Sequence, residues 1–173
     1  MSNIYLRKAN LDDLDAIMDI INEAKALLKK DGSTQWQNGS PNREKIEKDI
    51  DLGFSNVLIV DGEIAATAAL YTTPDPTYAK IYDGAWSATA DPYATTHTVA
   101  ISSKFRGMHL SKFLFSNLTT LAVEKGFHNL RIDTHEMNVR MQRLAKSFGY
   151  VQRGIIYIDS TPEGKRLAFE LNL

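Results

Sequence analysis

The sequence predicts one mixed α/β (α+β) domain that spans residues 1–173. The spacing of apolar residues predicts strands and helices in the order β-α-α-β-β-β-α-β-α-β-β. Asp61-Gly62 separates two β-prone runs, which is typical of a tight hairpin. A strand, a helix and a strand follow one another over residues 97–134, which indicates two parallel strands with a right-handed crossover. Because no linker or repeat interrupts this pattern, we expect no domain boundary.

The N-terminal half is predicted to contain a short strand, two helices and the hairpin. Residues 3–9 alternate as a strand does, and Asn10 is predicted to cap an amphipathic helix over residues 11–30. After a polar, glycine-rich loop, Ser40-Pro41 is predicted to cap and begin a short second helix. The hairpin then occupies residues 56–71.

The C-terminal half begins with a long segment, residues 72–95, which contains three of the five prolines and several aromatic residues. A long aromatic loop is more often functional than accidental, although it also suits a surface flap whose aromatics merely pack. Alternating strands and helices follow: we expect strands over residues 97–101 and 129–135, helices over 108–125 and 138–148, and final strands over 150–158 and 166–173.

The composition excludes several classes of function. The absence of cysteine excludes disulfides, thiolate nucleophiles and cysteine-ligated zinc, and the four histidines lack the spacing of a zinc hydrolase, so we expect no metal. A formal net charge of −1 disfavours nucleic acid as a partner. No run of 18 apolar residues and no signal-like N-terminus is present, so we expect a cytoplasmic protein without a membrane partner.

A basic turn connects the predicted strand over residues 97–101 to the next helix. A helix begins with unpaired N–H groups and a partial positive charge, so a helix start directly after a strand attracts an anion. This helix start carries no acid, and Gly107 allows a ligand to approach the backbone closely. Its polar side chains are Arg106, His109, Ser111 and Lys112. The turn therefore predicts a phosphate-bearing ligand, the alternative being a merely solvated turn.

Two common phosphate loops are absent from this turn. Neither the Walker pattern G-x-x-x-x-G-K-[ST] nor the dinucleotide pattern G-x-G-x-x-G occurs in the chain. The sequence therefore indicates neither a nucleoside triphosphate nor NAD.

The whole chain resembles the GNAT family of N-acetyltransferases. The opening "IYLRKANLDDLDAI", the hairpin "VDGEIAATAAL" and the segment "NVRMQRLAKSFGYVQRGIIY" are similar to elements of that family. The most specific segment, "HTVAISSKFRGMHLSKFLF", is similar to its strand and acetyl-CoA loop, commonly Q/R-x-x-G-x-G/A. Arg106 matches the first position, whereas His109 stands where the family has glycine and Ser111 where it has glycine or alanine.

The resemblance implies a mostly antiparallel, splayed central sheet flanked by about four helices, with acetyl-CoA as cosubstrate. The strands ending near Val99 and Asp133 would part to admit the pantetheine arm, and the turn would hold the pyrophosphate. The residues implied to bind the cosubstrate are Val99, Ala100, Ile101, Arg106, Gly107, Met108, His109, Leu110, Ser111, Lys112 and Asn138.

The resemblance also implies direct acetyl transfer in a ternary complex with an amine. His97 is our candidate base, because an ordinary histidine titrates near about 6.5; Glu136 could act through water instead. The N–H of Val99 or Ala100 is the candidate for stabilising the developing charge on the carbonyl oxygen.

The proton donor for the leaving thiolate is less clear from the sequence. The family commonly has a tyrosine at a position that is Ala145 here. Tyr150, Tyr157 or a water is expected to substitute, or the thiolate leaves unprotonated, since a thiol has a pKa near about 8.5.

The acceptor is expected to be a primary amine of a small molecule, a peptide or a protein. Four residues are our candidates for its pocket: Trp36, Tyr82, Asp83 and Trp86. A homodimer is a further expectation, because dimers are common in the family and the C-terminal strands offer a sheet edge. The alternative reading is a CoA-binding module that regulates or interacts without catalysing.

Overall fold

The computed structural model describes residues 1–87 and 91–173. The strands are β1 (Ile4–Lys8), β2 (Ser55–Val60), β3 (Glu63–Tyr71), β4 (Tyr93–Ile101), β5 (Asn129–Thr134), β6 (Val151–Tyr157) and β7 (Lys165–Asn172). The α-helices are α1 (Leu14–Lys30), α2 (Arg43–Asp51), α3 (Leu110–Glu124) and α4 (Val139–Ser147). No helix in the described ranges has the length and hydropathy needed to cross a bilayer.

The strands form one seven-stranded sheet in the order β1-β2-β3-β4-β5-β7-β6. Neighbouring strands are antiparallel except for β4 and β5, which are parallel. The helix α3 connects this parallel pair, as the strand–helix–strand pattern predicts. The predicted fold class, a mixed domain with a mostly antiparallel open sheet, is therefore confirmed.

The first helix begins with the predicted Asn10 cap. The Asn10 side chain accepts from the N–H of Asp12 at 2.9 Å, and the Asp13 carboxylate accepts from the N–H of Asn10 at 2.9 Å. This reciprocal cap satisfies donors that the first helical turn leaves unpaired. The turn Leu11–Asp13 is 3₁₀-helical, and α-helical geometry begins at Leu14.

The predicted start of the second helix is wrong by two residues. Asn42, and not Ser40, is the N-cap, because its side-chain oxygen accepts from the N–H of Lys45 at 2.9 Å. Pro41 consequently precedes the cap and does not occupy the first helical position. Asparagine and serine are comparably good caps, so residue type alone does not choose between them.

The predicted hairpin turn is confirmed by its backbone angles. Asp61 and Gly62 have φ values of 49° and 89°. Two consecutive left-handed residues are what a type I′ turn requires, and this turn matches the twist of the two strands.

A helical layer covers each face of the sheet. Alternate residues of β2 point to opposite faces: Leu58 and Val60 pack in a cluster with α3, whereas Val57 and Ile59 pack in a cluster with α1 and α2. Full burial of a side chain such as Leu118 of α3, which is 1% exposed, contributes about 1.5–3 kcal/mol. The two layers hold the sheet rigid around the point where it opens.

The sheet opens between β4 and β5. Their parallel ladder runs only from Tyr93↔Asn129 to Thr95↔Arg131. Beyond that point β4 pairs only with β3 and β5 only with β7, so the two strands diverge. The strand begins at Tyr93 and not at His97 as predicted from sequence, because the buried residues from Ala94 to Thr96 already pair with neighbouring strands.

A β-bulge lies in β4 beside the opening. Thr67 pairs with Ala100 and Ala69 with His97, so Thr98 and Val99 together face one residue of β3. Thr98 has a φ of 54°, which is rare for a β-branched residue and costs about 1–3 kcal/mol. Bulges of this kind change the direction of the side chains and the backbone groups that follow.

The long loop returns to the outer edge of β6. Tyr82 exchanges two backbone hydrogen bonds with Ile155, each 2.8 Å long. The approach is so close that a Cβ on Gly84 would lie 1.8 Å from the carbonyl oxygen of Arg153. Part of the edge that we expected to be available for dimerisation is therefore covered by the chain itself, and the homodimer stays a prediction.

Candidate functional site

An open cavity of about 1270 Å³ lies where β4 and β5 diverge. Its walls come from the second half of β4, the ends of β3 and β5, the beginnings of α3 and α4, and the loop between α1 and α2. Several of the residues predicted from sequence line it: Trp36, His97, Val99, Ala100, Ile101, Arg106, Ser111 and Asn138. The opening of the sheet thus brings most of the predicted cosubstrate residues to one cleft.

The turn after β4 presents unpaired backbone N–H groups. Gly107 and His109 have φ values of 89° and 54°, and this left-handed geometry delays the start of α3 to Leu110. Within the described residues, the N–H groups of Gly107, His109, Leu110 and Ser111 donate to no protein acceptor. No acidic side chain lies in the first turn of α3. These donors and the partial positive charge of the helix suit a phosphate group.

Five of the predicted residues do not line the cavity: Gly107, Met108 and His109 of the turn, and Leu110 and Lys112 of the first turn of α3. The His109 side chain is exposed. It therefore points to solvent and leaves the backbone of the turn accessible.

The loop between α1 and α2 crosses the cleft near the start of α4. The Gln35 side-chain oxygen accepts from Thr134 Oγ1, from the N–H of His135 and from Asn138 Nδ2, at 3.3, 3.3 and 3.1 Å. Asn138 also caps α4 through the N–H of Met141 at 3.2 Å. These contacts hold Asn138 at the edge of the opening, with Gln35 as its partner.

His97 lies between two carboxylates at the mouth of the opening. Its Nε2 is 3.1 Å from Asp75 Oδ2, and its Nδ1 is 4.0 Å from Asp133 Oδ2. The sheet register explains the second distance: Thr95 pairs with Arg131, so His97 and Asp133 face each other two residues further along each strand. The two strands have begun to separate there, which leaves room between the side chains.

The electrostatics of this group favour an ionised Asp75. Burial alone would raise the pKa of Asp75, but hydrogen bonds from His97 and Thr77 lower that pKa to about 2. Asp133 accepts from the hydroxyl of the buried Tyr78 at 2.7 Å. Burial and the Asp133 carboxylate raise the pKa of Tyr78 well above its ordinary value, so Tyr78 remains a neutral donor.

The surrounding side chains fix the imidazole in place. The ring of Tyr71 packs on that of His97 with centroids 4.9 Å apart. The Tyr71 hydroxyl donates to Asp49 at 2.8 Å and contacts the ammonium of Lys45. Burial, followed by the effect of Asp49, raises the pKa of Tyr71. Tyr71 is consequently a packing partner of His97 and a poor source of protons at neutral pH.

Other predicted site residues lie away from the cavity. Glu136 is exposed and lies 3.6 Å from Lys165, and Tyr157 packs edge-on against Tyr82 with centroids 5.2 Å apart. Tyr82 and Asp83 lie on the outer edge of β6, since the long loop pairs there. None of these four residues lines the cavity.

Trp86 likewise lies outside the cavity, but it supports the site. It is 8% exposed and donates from Nε1 to the carbonyl of Tyr78 at 3.0 Å. Its ring packs on that of Tyr78 with centroids 5.6 Å apart. Trp86 thus holds the tyrosine that binds Asp133. Trp36 does line the cavity, and its contact with the acceptor stays a prediction.

Ala145, at the position where the family commonly has a tyrosine, is fully buried. Tyr150 is buried beside Phe115, and burial raises the pKa of its hydroxyl. Neither Tyr150 nor Tyr157 lines the cavity. Because neither tyrosine reaches the cavity, the structure favours water among the proton donors predicted from the sequence.

The sequence does not identify Asp75 or Gln35 as residues of the site. A local signal for Asp75 exists: in Asp75-Pro76-Thr77, the carboxylate accepts from the N–H and the hydroxyl of Thr77 at 2.9 and 2.7 Å. This signal predicts a turn but not a histidine partner 22 residues away. Gln35 lies in a polar loop with no local pattern that distinguishes it.

The chain is similar to a known protein family over most of its length. A sequence profile described as the acetyltransferase (GNAT) family matches residues 16–150. A search of curated proteins found no match. A crystal structure of a GNAT-family acetyltransferase from Streptococcus agalactiae 2603 is 37% identical, with a TM-score of 0.88 over 98% of this chain and 95% of that one.

Two more distant structures share the fold. The ribosomal-protein-S18-alanine N-acetyltransferase from Escherichia coli is 16% identical, with a TM-score of 0.68 over 99% of this chain and 94% of that one. An aminoglycoside acetyltransferase in complex with coenzyme A is 17% identical, with a TM-score of 0.67 over 98% of this chain and 95% of that one.

Proposed function

This chain belongs to the GNAT acetyltransferase family, and from that premise we propose that it transfers the acetyl group of acetyl-CoA to a primary amine in a ternary complex. The acceptor amine belongs to a small molecule, a peptide or a protein. The observation that carries the proposal is the open sheet, which ends at a turn whose N–H groups have no protein acceptor among the described residues.

The turn after β4 is the proposed pyrophosphate site. The unpaired N–H groups of Gly107, His109, Leu110 and Ser111 donate to phosphate oxygens. Arg106, which lines the cavity, adds a charged donor. The pantetheine arm lies in the gap beside Val99, Ala100 and Ile101, where β4 has no partner on the β5 side. Asn138 contacts the arm from the start of α4, after exchanging or sharing its bond to Gln35.

His97 is the proposed base. It takes one proton from the acceptor ammonium, and the freed nitrogen lone pair attacks the thioester carbonyl carbon. A C–N bond forms, the C–S bond breaks, and the electron pair of that bond leaves with the sulfur. The attacking nitrogen gives its second proton to water, and water passes a proton to the sulfur, which yields the acetamide, the CoA thiol and protonated His97. The N–H of Val99 or Ala100 stabilises the carbonyl oxygen beside the bulge.

A thiol-release assay tests this function. The protein is mixed with acetyl-CoA and a panel of alkylamines, diamines, aminoglycosides and peptides with free N-termini, and released CoA is measured with a thiol reagent. The proposal predicts that at least one amine raises the release above hydrolysis, with an equal amount of acetamide detected by mass spectrometry. The proposal is contradicted if CoA binds and no amine in any class releases thiol.

A second function is favoured by one observation, the buried Ala145 at the position where a tyrosine acid is common in the family. This second candidate is a CoA-binding module that regulates or interacts without catalysis. The same assay separates the two, because this module would bind CoA, as measured by calorimetry, and give no amine-dependent thiol release. The cytoplasmic location expected from the sequence stays a prediction.

A further inference from the structure

His97 is held by two carboxylates that come from distant parts of the chain. Asp75 lies in the long loop after β3, and Asp133 lies near the end of β5. The side chains of Asp75, Asp133 and His97 are only 15%, 9% and 22% exposed. A histidine that bonds one largely buried carboxylate and faces a second one, at the mouth of a cavity, is more than a surface ion pair.

The Asp75 contact determines which ring nitrogen carries the proton. An ionised carboxylate only accepts hydrogen bonds, so at 3.1 Å the Nε2 of His97 must be the donor. The other oxygen of Asp75 is fixed by the N–H and hydroxyl of Thr77, which prevents the carboxylate from turning away. In neutral His97 the lone pair is therefore on Nδ1, the nitrogen that faces Asp133.

The gap between His97 and Asp133 has the size of a donor site. At 4.0 Å, Nδ1 and Asp133 Oδ2 are too far apart for a direct hydrogen bond. One nitrogen placed between them, about 2.9 Å from each, can donate to both. An ammonium group has three such donors. Its positive charge is favoured by Asp75 and Asp133 and opposed by Arg166, whose Nε lies 3.9 Å from Asp133 Oδ1.

We propose that Asp75 is a positioning residue that fixes the proton on Nε2 of His97, and that Nδ1 and Asp133 together receive the acceptor as a protonated primary amine. This inference rests on the proposed function and deepens it. Asp133 fixes the ammonium while Nδ1 removes one proton, and Asp75 stabilises the imidazolium that results. Amines that carry no charge near neutral pH, such as aromatic amines, are consequently poor acceptors.

The chain offers a matched pair of variants for the test. The control is Asp19→Asn, because Asp19 is exposed on α1, does not line the cavity and has no histidine among its described contacts. Asp75→Asn keeps an acceptor for Thr77 and can place an amide donor against Nε2. That donor favours the opposite tautomer, with the proton on Nδ1, where it blocks the base.

The predicted kinetic result is a loss in kcat. With the best amine of the panel, Asp75→Asn lowers kcat about a hundredfold or more, the usual contribution of a correctly protonated base, while KM for acetyl-CoA changes less than about twofold. Asp133→Asn raises KM for the amine about tenfold or more, the loss expected for one charge-assisted contact. Asp19→Asn stays within about twofold of the wild type, as expected for an exposed carboxylate outside the cavity. If Asp75→Asn is as active as Asp19→Asn, the inference is wrong and the acetyl transfer itself stands.

A spectroscopic readout tests the arrangement without any acceptor. Imidazole ¹⁵N spectra of the labelled protein, assigned with His97→Gln, report which nitrogen of His97 carries the proton. We expect Nε2–H in the wild type and in Asp19→Asn, and Nδ1–H in Asp75→Asn. Nδ1–H in the wild type, or an unchanged tautomer in Asp75→Asn, contradicts the positioning role. If no amine is acetylated while the tautomers are as predicted, the proposed function fails and the positioning of His97 by Asp75 is retained.

Discussion

The two halves of the cleft are built in different ways. Apart from Asn138 at the start of α4, the proposed CoA half comes from one continuous segment, β4, the turn after it and α3, so most of its donors are neighbours in sequence. The proposed acceptor half joins Asp75, His97 and Asp133, which are separated by 22 and 36 positions along the chain. A site made of neighbouring residues is encoded by a local pattern, whereas a site made of distant residues depends on the register of the whole sheet.

The largest expected effect concerns the loop that carries Asp75. In Gly84→Ala the new Cβ would lie 1.8 Å from the backbone oxygen of Arg153, and a backbone atom cannot move aside cheaply. We expect a loss of about 3 kcal/mol or more in the free energy of unfolding, measured by urea denaturation. The neighbouring exposed Ala85→Ser should change it by less than about 0.5 kcal/mol.

The same variant tests whether the two halves of the cleft are independent. If Gly84→Ala loosens only the acceptor half, the folded protein keeps its affinity for CoA and loses acetyl transfer. A parallel loss of CoA affinity in the folded protein would show that the two halves are not independent.

The next effect concerns the CoA half. Arg106→Glu places a negative charge where we propose a pyrophosphate, so the Kd for CoA should rise about thirtyfold or more, since charge-assisted bonds contribute about 1.5–3 kcal/mol. The control is Lys104→Glu, in the same turn, whose side chain pairs with Glu63 and does not line the cavity. It should raise the Kd by less than about threefold. Equal effects of the two substitutions in calorimetry would mean that Arg106 acts only through the overall charge.

The sequence predicts the CoA half of the cleft better than the acceptor half. The basic turn, its glycine and the absence of acids predict the CoA half, since helix starts follow local rules. Asp83 and Trp86 were reasonable acceptor candidates by residue type, but the pairing of Tyr82 with β6 carries that part of the loop to the outer edge. The contact between His97 and Asp75 depends on the path of the long loop through the fold. The spacing of hydrophobic residues along the sequence does not predict that path.

A smaller effect is the pH dependence of stability. The folded pKa of Asp75 is about 2, against an ordinary 3.8, so the stabilisation is complete above about pH 4 and is lost as the pH falls towards 2. After allowance for solvent screening, we expect about 1–2 kcal/mol from this group. In urea unfolding, Asp75→Asn should therefore lose less stability than the wild type between pH 5 and about 2.5. The control Asp19→Asn, which removes an exposed carboxylate of α1, should follow the wild-type curve. An Asp75→Asn curve with the wild-type slope would contradict the lowered pKa of Asp75.

The smallest effect concerns the departure from the family pattern at position 109. His109 adopts a left-handed conformation, with φ of 54°, that costs a non-glycine residue about 1 kcal/mol. His109→Gly should raise the free energy of unfolding by about 0.5–1 kcal/mol and leave CoA affinity unchanged or improved. His109→Ala retains the strain and should show no gain. A loss of CoA affinity in His109→Gly would instead give the imidazole a direct role in binding.

The central claim is that the turn after β4 binds the pyrophosphate of CoA and directs its sulfur into the gap between β4 and β5. The most direct measurement is a titration of the ¹⁵N-labelled protein with CoA, followed by backbone amide spectra. We predict that the largest shifts occur at Gly107, His109, Leu110 and Ser111, with a second group along β4 from Val99 to Ile101. Saturable shifts confined to another surface, or no shifts at millimolar CoA, would contradict the claim.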